Sequence, residues 1–308
     1  MRSVNLPRAP RILLIGAHGQ VGHELRRALA PLGTVIAWGR AELDLTDIAQ
    51  IGPKVGAIGA DIIVNASAYT AVDRAETEPD VAYAVNAHAV AALAEVAVAT
   101  NAVLVHYSTD YVFDGQREGA YSERIAPSPL GVYGQSKRAG EEAIEARMHK
   151  YLIFRTSWVF GVHGGNFLKT ILRLAADRER LTVVADQFGA PTAAGLIADV
   201  TAHVLHTLWY TPEATSRVYG LYHLAAAGEA SWYDYARYLV EGAHARGMDL
   251  RLAAADIAPI PATDYPLPAP RPANSRLDCN KLMQTFGLAL PDWRVHVDWV
   301  LDRLCSPR

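Results

Sequence analysis

The chain has 308 residues, is 51% hydrophobic and carries a formal net charge of −3. That length suits one large or two smaller domains with a sizeable core. The absence of a Lys/Arg cluster argues against nucleic-acid binding, and two cysteines, Cys279 and Cys305, argue against a disulfide framework and fit reduced thiols in the cytoplasm.

The first ten residues read as a loose tail. The apolar run after them, ILLI, is too short for a secretory signal and enters a glycine turn. RILLIG (11–16) is a predicted strand, QVGHELRRALAPLG (20–33) a helix, TVIAW (34–38) and DIIVNAS (61–67) strands. The stretch 81–100 is apolar but Ala-rich, and is interrupted by Asn86, His88 and Glu95. It suits a helix on a sheet better than a membrane span. A strand at 101–110, a helix at 133–148 with its Glu residues facing outward, and a strand at 151–160 follow. Nearly continuous apolar strands alternating with helices predict an α/β fold: a Rossmann-type doubly wound parallel sheet. The rhythm then fades. The proline-rich stretch 258–276 reads as an ordered loop over a site or as a linker, and a helix-like segment follows it. The division expected is a dinucleotide-binding domain over 1–157, with segments near 164–186 and 219–224 returning to it, and a smaller α/β substrate domain over most of 158–308.

Gly16, Gly19 and Gly22 form G-x-x-G-x-x-G between the first strand and the first helix. The first glycine permits a tight turn, the second a close approach to a pyrophosphate, and the third close packing of helix on strand. The helix N-terminus offers free N–H groups to phosphate. An acidic residue that would hold a ribose 2′-hydroxyl is expected at the end of the second strand, where this chain has Gly39 and Arg40. Arg40 can pair with a 2′-phosphate, so NADPH is expected to be preferred over NADH. Asp44, with Leu45 beside it, is a candidate to bond the adenine or else belongs to a helix N-cap.

Tyr133 and Lys137 stand four apart on a predicted helix and therefore share one face. An ammonium beside the phenol, together with a nicotinamide ring, would favour the phenolate and lower its pKa. Such a Tyr donates a proton to a carbonyl oxygen as hydride reaches the carbon. Ser108 and Thr109 close the preceding strand, where ligands bind in open sheets. Either hydroxyl could bond the same oxygen.

Glycine turn, STDYVFDG and YGQSK together resemble the extended short-chain dehydrogenase/reductases. VNASAYTAVDRAETEP, FRTSWVFG, DQFGAPT and RPANSRLD extend the resemblance, across nearly the whole chain, to the dTDP-4-dehydrorhamnose reductase family. It implies reduction of a dTDP-sugar ketone by NADPH. It also implies Gly19, Gln20 and Val21 in the phosphate turn, and Ser67, Ala68 and Tyr69 along the cofactor. Thr109 and Asp110 would meet the sugar, Tyr133 would donate the proton and Lys137 would assist. Trp158 would pack on the substrate, and Arg271, Asn274 and Ser275 would belong to the substrate-side wall.

Many members of that family carry an acidic residue where this chain has Gly39-Arg40, which bears on NADH use. Some are Mg2+-linked dimers. Glu24 matches one such ligand, while Gly195 stands where another is expected, so Glu24 reads more simply as a solvated helix charge and the chain as monomer or homodimer. The rival readings are another nucleotide-sugar reductase, epimerase or dehydratase, and a non-catalytic cofactor-binding regulatory subunit.

Overall fold

The computed structural model describes residues 8–211 and 218–305. Most of the expected N-terminal tail, residues 1–7, lies outside them. The first half alternates as expected: β1 (Arg11–Ile15), α1 (Gln20–Leu29), β2 (Thr34–Trp38), α2 (Ile48–Ile58), β3 (Ile62–Asn65), α3 (Val72–Ala75), α4 (Pro79–Tyr83), α5 (Ala89–Thr100), β4 (Val103–Thr109), α6 (Val132–Glu145) and β5 (Tyr151–Thr156). One sheet of six parallel strands runs β2-β1-β3-β4-β5-β10, with β10 (Gly220–His223) at one edge. Its order reverses at β1, which has β2 on one side and β3 on the other. A crevice opens at the carboxyl ends of strands around such a switch point. Residues alternate across the sheet: Ile12 and Leu14 enter one core, Leu13 and Ile15 the other.

The Ala-rich helix is interrupted. Between α4 and α5 the backbone makes a π turn over Ala84–His88, a local widening that often marks a functional site. Pro79–Thr100 is long and apolar enough to cross a membrane, yet half of its most apolar window is buried inside this protein. It packs against α2 and α6.

The expected strand over 151–160 breaks into β5 and β6 (Val159–Phe160). At the break Trp158 has φ +49°, a left-handed conformation that costs a bulky residue energy. Beyond it lie α7 (Phe167–Asp177), β7 (Leu181–Val184), β8 (Phe188–Gly189), β9 (Thr192–Ala193), α8 (Ala194–Tyr210), β11 (Ala230–Ser231), α9 (Trp232–Ala245), β12 (Ile257–Ile260), α10 (Asn280–Phe286) and α11 (Trp293–Cys305). Ser231 and Asp234 cap α9 reciprocally. β10 joins the large sheet, but the segment 164–186 sends β7 to pair with β12 and α7 to lie on α9. It is α8 that packs along α1.

One expectation is corrected here, and one alternative is decided. The Glu residues of α6 do not all face outward: Glu141 is fully buried, held by Arg155 across the fold. The proline-rich stretch is no linker. It contains β12 and then returns, bridging Phe188 through Asn274 and Tyr121 through Leu277.

Candidate active site

Gly16 has φ +83°, and a Cβ there would lie 2.7 Å from the backbone of Ala66 and Ser67. A Cβ on Gly22 would lie 2.0 Å from the Gly16 carbonyl oxygen. A Cβ on Gly19 would meet nothing nearer than 3.4 Å. The outer glycines therefore seat the turn against β3 and α1 against the turn, while the middle one leaves open space. Gly19 precedes α1 with no side-chain cap, so the amides of the first turn lack an intrahelical acceptor. Such a cradle fits a pyrophosphate. The Gln20 side-chain oxygen accepts from Asn166 Nδ2 at 2.9 Å. Val21 packs its side chain on the core.

A cleft of about 370 Å³ opens beside the turn, lined in part by Gly16, Arg40, Asp44, Leu45, Ser67 and Tyr69, with Ala68 between the last two. Arg40 is 81% exposed and donates to Asp44 at 3.2 Å. An exposed pair of this kind contributes about 0–1 kcal/mol, so Arg40 is easily given up to an anion. Asp44 also accepts from the amide and hydroxyl of Thr46, which with Arg40 holds its carboxyl below the ordinary range. Glu42 accepts from the Gly39 amide at 2.7 Å. A Cβ on Gly39 would strike the His18 ring at 2.4 Å, so glycine at this position lets His18 lie over the strand end.

Tyr133 and Lys137 share one face of α6, on which Lys137 is buried and Tyr133 half-buried. Thr109, the last residue of β4, lies beside the Tyr133 phenol, while its hydroxyl donates to Asp110 and accepts from the Tyr111 amide. Ser108 points to the opposite face, toward Glu141, as strand alternation requires. Thr109 is thus the hydroxyl beside the phenol. Asp110 follows, buried, and accepts from Thr109 at 3.1 Å. Burial pushes its carboxyl up to about 6, against the bonds from Ser275 and Thr109. Tyr111 meets the Tyr133 ring edge-on at 5.5 Å.

The expected electrostatics of the pair are corrected. Burial raises the Tyr133 phenol well above its ordinary value, the Thr109 hydroxyl opposing it, and Lys137 does not lower it. Lys137 Nζ turns instead to the Tyr107 carbonyl at 2.5 Å and to His106 Nε2 at 3.2 Å. Burial pulls Lys137 itself down to about 8, with Glu141 opposing. Tyr133 is therefore a protonated phenol in the free protein and a weaker acid than an ordinary one.

On the other side, Trp158 stacks on Trp232 with ring centroids 3.5 Å apart, and its indole lies where a Cβ on Gly189 would be, 2.6 Å away. Arg271 holds both oxygens of Asp73 at 2.8 and 2.9 Å and lies over the Tyr111 ring. Asn274 donates to the carbonyls of Arg117 and Gly119 and accepts twice from Arg276. Its amide is saturated and ties the 117–119 turn to the loop. Glu24 is corrected as well. It is 6% exposed rather than solvated and lies 3.5 Å from Arg27. Among the described residues no group of three or more His, Cys, Asp or Glu could hold a metal, and Gly195 faces Trp299.

Residues 10–306 match the family model described as the RmlD substrate binding domain. The chain belongs to the RmlD family. Relatives of this RmlD chain include the dTDP-4-dehydrorhamnose reductase of Escherichia coli (strain K12), 49% identical over 95% of this chain and 97% of that protein. The enzyme of the same name from Burkholderia thailandensis is 46% identical over 96% of this chain and 99% of that one. Among solved structures, dTDP-4-dehydrorhamnose reductase from Bacillus anthracis in complex with NADP superposes with a TM-score of 0.87 at 34% identity, covering 96% of this chain and all of that one.

Sequence reasoning missed the side chains that join cleft to helix in this RmlD protein. Asn65 accepts from the Ser67 amide and reaches His106, which reaches Lys137. Asn86, in the π turn, bonds both backbone groups of Tyr69 and donates to Ser136, which donates to the Tyr133 carbonyl. Buried Glu141 is gripped by Arg155 at 2.6 and 2.7 Å and by Arg138 at 2.9 Å. Polar letters inside apolar strands, as in VNAS and VLVHYST, were the available signal.

Proposed function

We propose that this protein reduces the C4 ketone of dTDP-4-dehydro-6-deoxy-L-mannose with NADPH, giving dTDP-L-rhamnose, in the cytoplasm. The observation that carries the chemistry is the protonated Tyr133 phenol, placed beside Thr109 at the carboxyl end of β4 and on the helix face that also presents Lys137. Family membership and the NADP-bound relative support the choice of cofactor and sugar.

The cofactor, when bound, supplies the hydride. The first amides of α1 and the space above Gly19 receive its diphosphate, Arg40 receives the 2′-phosphate, and Ser67, Ala68 and Tyr69 flank it. Thr109 holds the substrate ketone oxygen, and Tyr133 gives that oxygen its proton. Lys137 sits behind the phenol on the same helix face. Asp110, Trp158 and Arg271 wall the sugar side, with Asn274 shaping that wall. The large sheet with α1 and α8 forms the cofactor half, and the unit around α7, α9 and β12 forms the substrate half.

NADPH consumption with the keto-sugar generated in situ tests the reading. Turnover that requires both substrates supports it. NADPH binding without turnover on any keto-sugar would favour the regulatory-subunit reading, because such a subunit needs the cleft and not the phenol.

A further inference from the structure

Lys137 Nζ meets two groups, the Tyr107 carbonyl and His106 Nε2, and the role of each is fixed by its own bonding. The chain begins at a backbone amide, which can only donate: Ser67 N–H gives its proton to Asn65 Oδ1 at 3.2 Å. That contact orients the Asn65 amide. Its Nδ2, a donor, then faces His106 Nδ1 at 3.2 Å. Nδ1 must accept, so the neutral imidazole carries its proton on Nε2. Nε2–H points at Lys137 Nζ, 3.2 Å away. An ammonium has three donors and no lone pair, so two donors would meet there. A neutral amine accepts from Nε2–H and donates to the Tyr107 carbonyl.

We propose that Asn65 and His106 are positioning residues whose hydrogen-bond chain, begun at the Ser67 amide, holds Lys137 as a neutral amine in the free protein. Asn65 and His106 are paired in register on adjacent strands, and all three side chains are buried. Burial holds the imidazole neutral. Burial pulls Lys137 in the same direction. The groups facing Lys137 are His106 and the Tyr107 carbonyl from β4, Asn65 from β3 through His106, and Tyr133 and Glu141 from its own helix. Glu141 favours the ammonium, but Arg155 and Arg138 already engage it. A neutral Lys137 accounts for a phenol that keeps its proton. The functional consequence rests on the reading of the cleft as the cofactor site: Ser67 lines it, so whatever binds there touches the head of the chain.

The Asn65→Asp variant reverses the chain. A carboxylate can still accept from Ser67 N–H, but it also accepts from His106, moving the imidazole proton to Nδ1. Nε2 then accepts from Lys137, which becomes an ammonium. NMR titration of isotope-labelled lysine in the full-length protein without cofactor, assigned by the signal missing in Lys137→Met, reads this directly. The expected result is a Lys137 midpoint near 8 or lower in the natural sequence, well under the ordinary lysine value, and a proton affinity at least tenfold higher in Asn65→Asp. The double variant Asn65→Asp/His106→Phe keeps the added charge and removes the relay. Its Lys137 should not show the rise. Equal midpoints in the natural protein and Asn65→Asp, or a rise that survives in the double variant, would overturn the proposal. Should Asn65→Asp fail to fold, His106→Gln, whose amide can present its oxygen to Nζ, is expected to shift Lys137 upward too, and an unmoved midpoint there counts against the relay. None of these readings needs turnover, so they stand apart from the keto-sugar assay.

Discussion

The cofactor cleft is made of backbone and exposed charge, whereas the wall that carries Tyr133 is made of buried side chains. In the cleft, Gly16 and Gly22 position the turn by lacking a Cβ, and Arg40 and Asp44 pair loosely in water. In the wall, Thr109, Asp110, Lys137, Glu141 and Arg155 are all nearly inaccessible. Exposed charges can exchange partners at little cost, which suits a site that must accept and release a ligand. Buried charges are costly unless satisfied, so each wall residue is fixed by the next, and its protonation state is set by the fold.

The largest effect expected from separating these regions is on chemistry alone. Tyr133→Phe should lower turnover by about 10²–10⁴-fold while NADPH affinity, read by fluorescence titration, stays within twofold or so. An equal loss of both would mean that phenol and cleft are not separable. Next comes the buried ion pair. Burial alone would raise the Glu141 carboxyl, but the Arg155 fork outweighs it and keeps it ionised. Glu141→Ala strands Arg155 and should cost about 3–5 kcal/mol in a denaturant melt, whereas the exposed Asp44→Ala should cost well under 1 kcal/mol.

Asp110 gives the comparison a pH signature. Its folded value, about 6, lies above its ordinary value of 3.8. Folding thus favours the protonated form, and the stability this lends is complete below the ordinary value. It is lost as pH rises through about 6, a change on the order of 3 kcal/mol. Asp110→Asn should flatten the stability profile over that window; an unchanged profile would place the titration elsewhere. Gly22→Ala drives a Cβ into the Gly16 carbonyl oxygen, and about 1–3 kcal/mol of overpacking is expected, with weakened NADPH binding measured by the same fluorescence titration. The smallest effect belongs to Arg40→Ala: roughly tenfold weaker NADPH binding, one charge-assisted contact's worth, with NADH affinity unchanged. Equal losses for both cofactors would remove Arg40 from the 2′-phosphate.

The parallel sheet was legible because apolar strands and glycine punctuation are local signals. β2 begins and ends where the sequence places it, and β1, β3 and β4 fall inside their predicted runs. The Tyr133–Lys137 face was legible from helical spacing. The break at Trp158 was not, because strand propensity continues through it, whereas the left-handed residue sets its indole against Trp232 and Gly189, contacts remote in the chain. Nor was the burial of Glu141, whose partner is fourteen residues away on a strand.

By itself, then, the order of residues determined the turn that receives phosphate, the helix face that presents phenol and amine, and the absence of acid at Gly39-Arg40, since each depends on neighbours a few positions apart. Which hydroxyl meets the phenol, where Lys137 directs its amine, and that Asn274 is already saturated were decided by tertiary structure. Those outcomes depend on groups far apart in the chain brought within hydrogen-bond reach in a medium where an unpaired polar atom is costly.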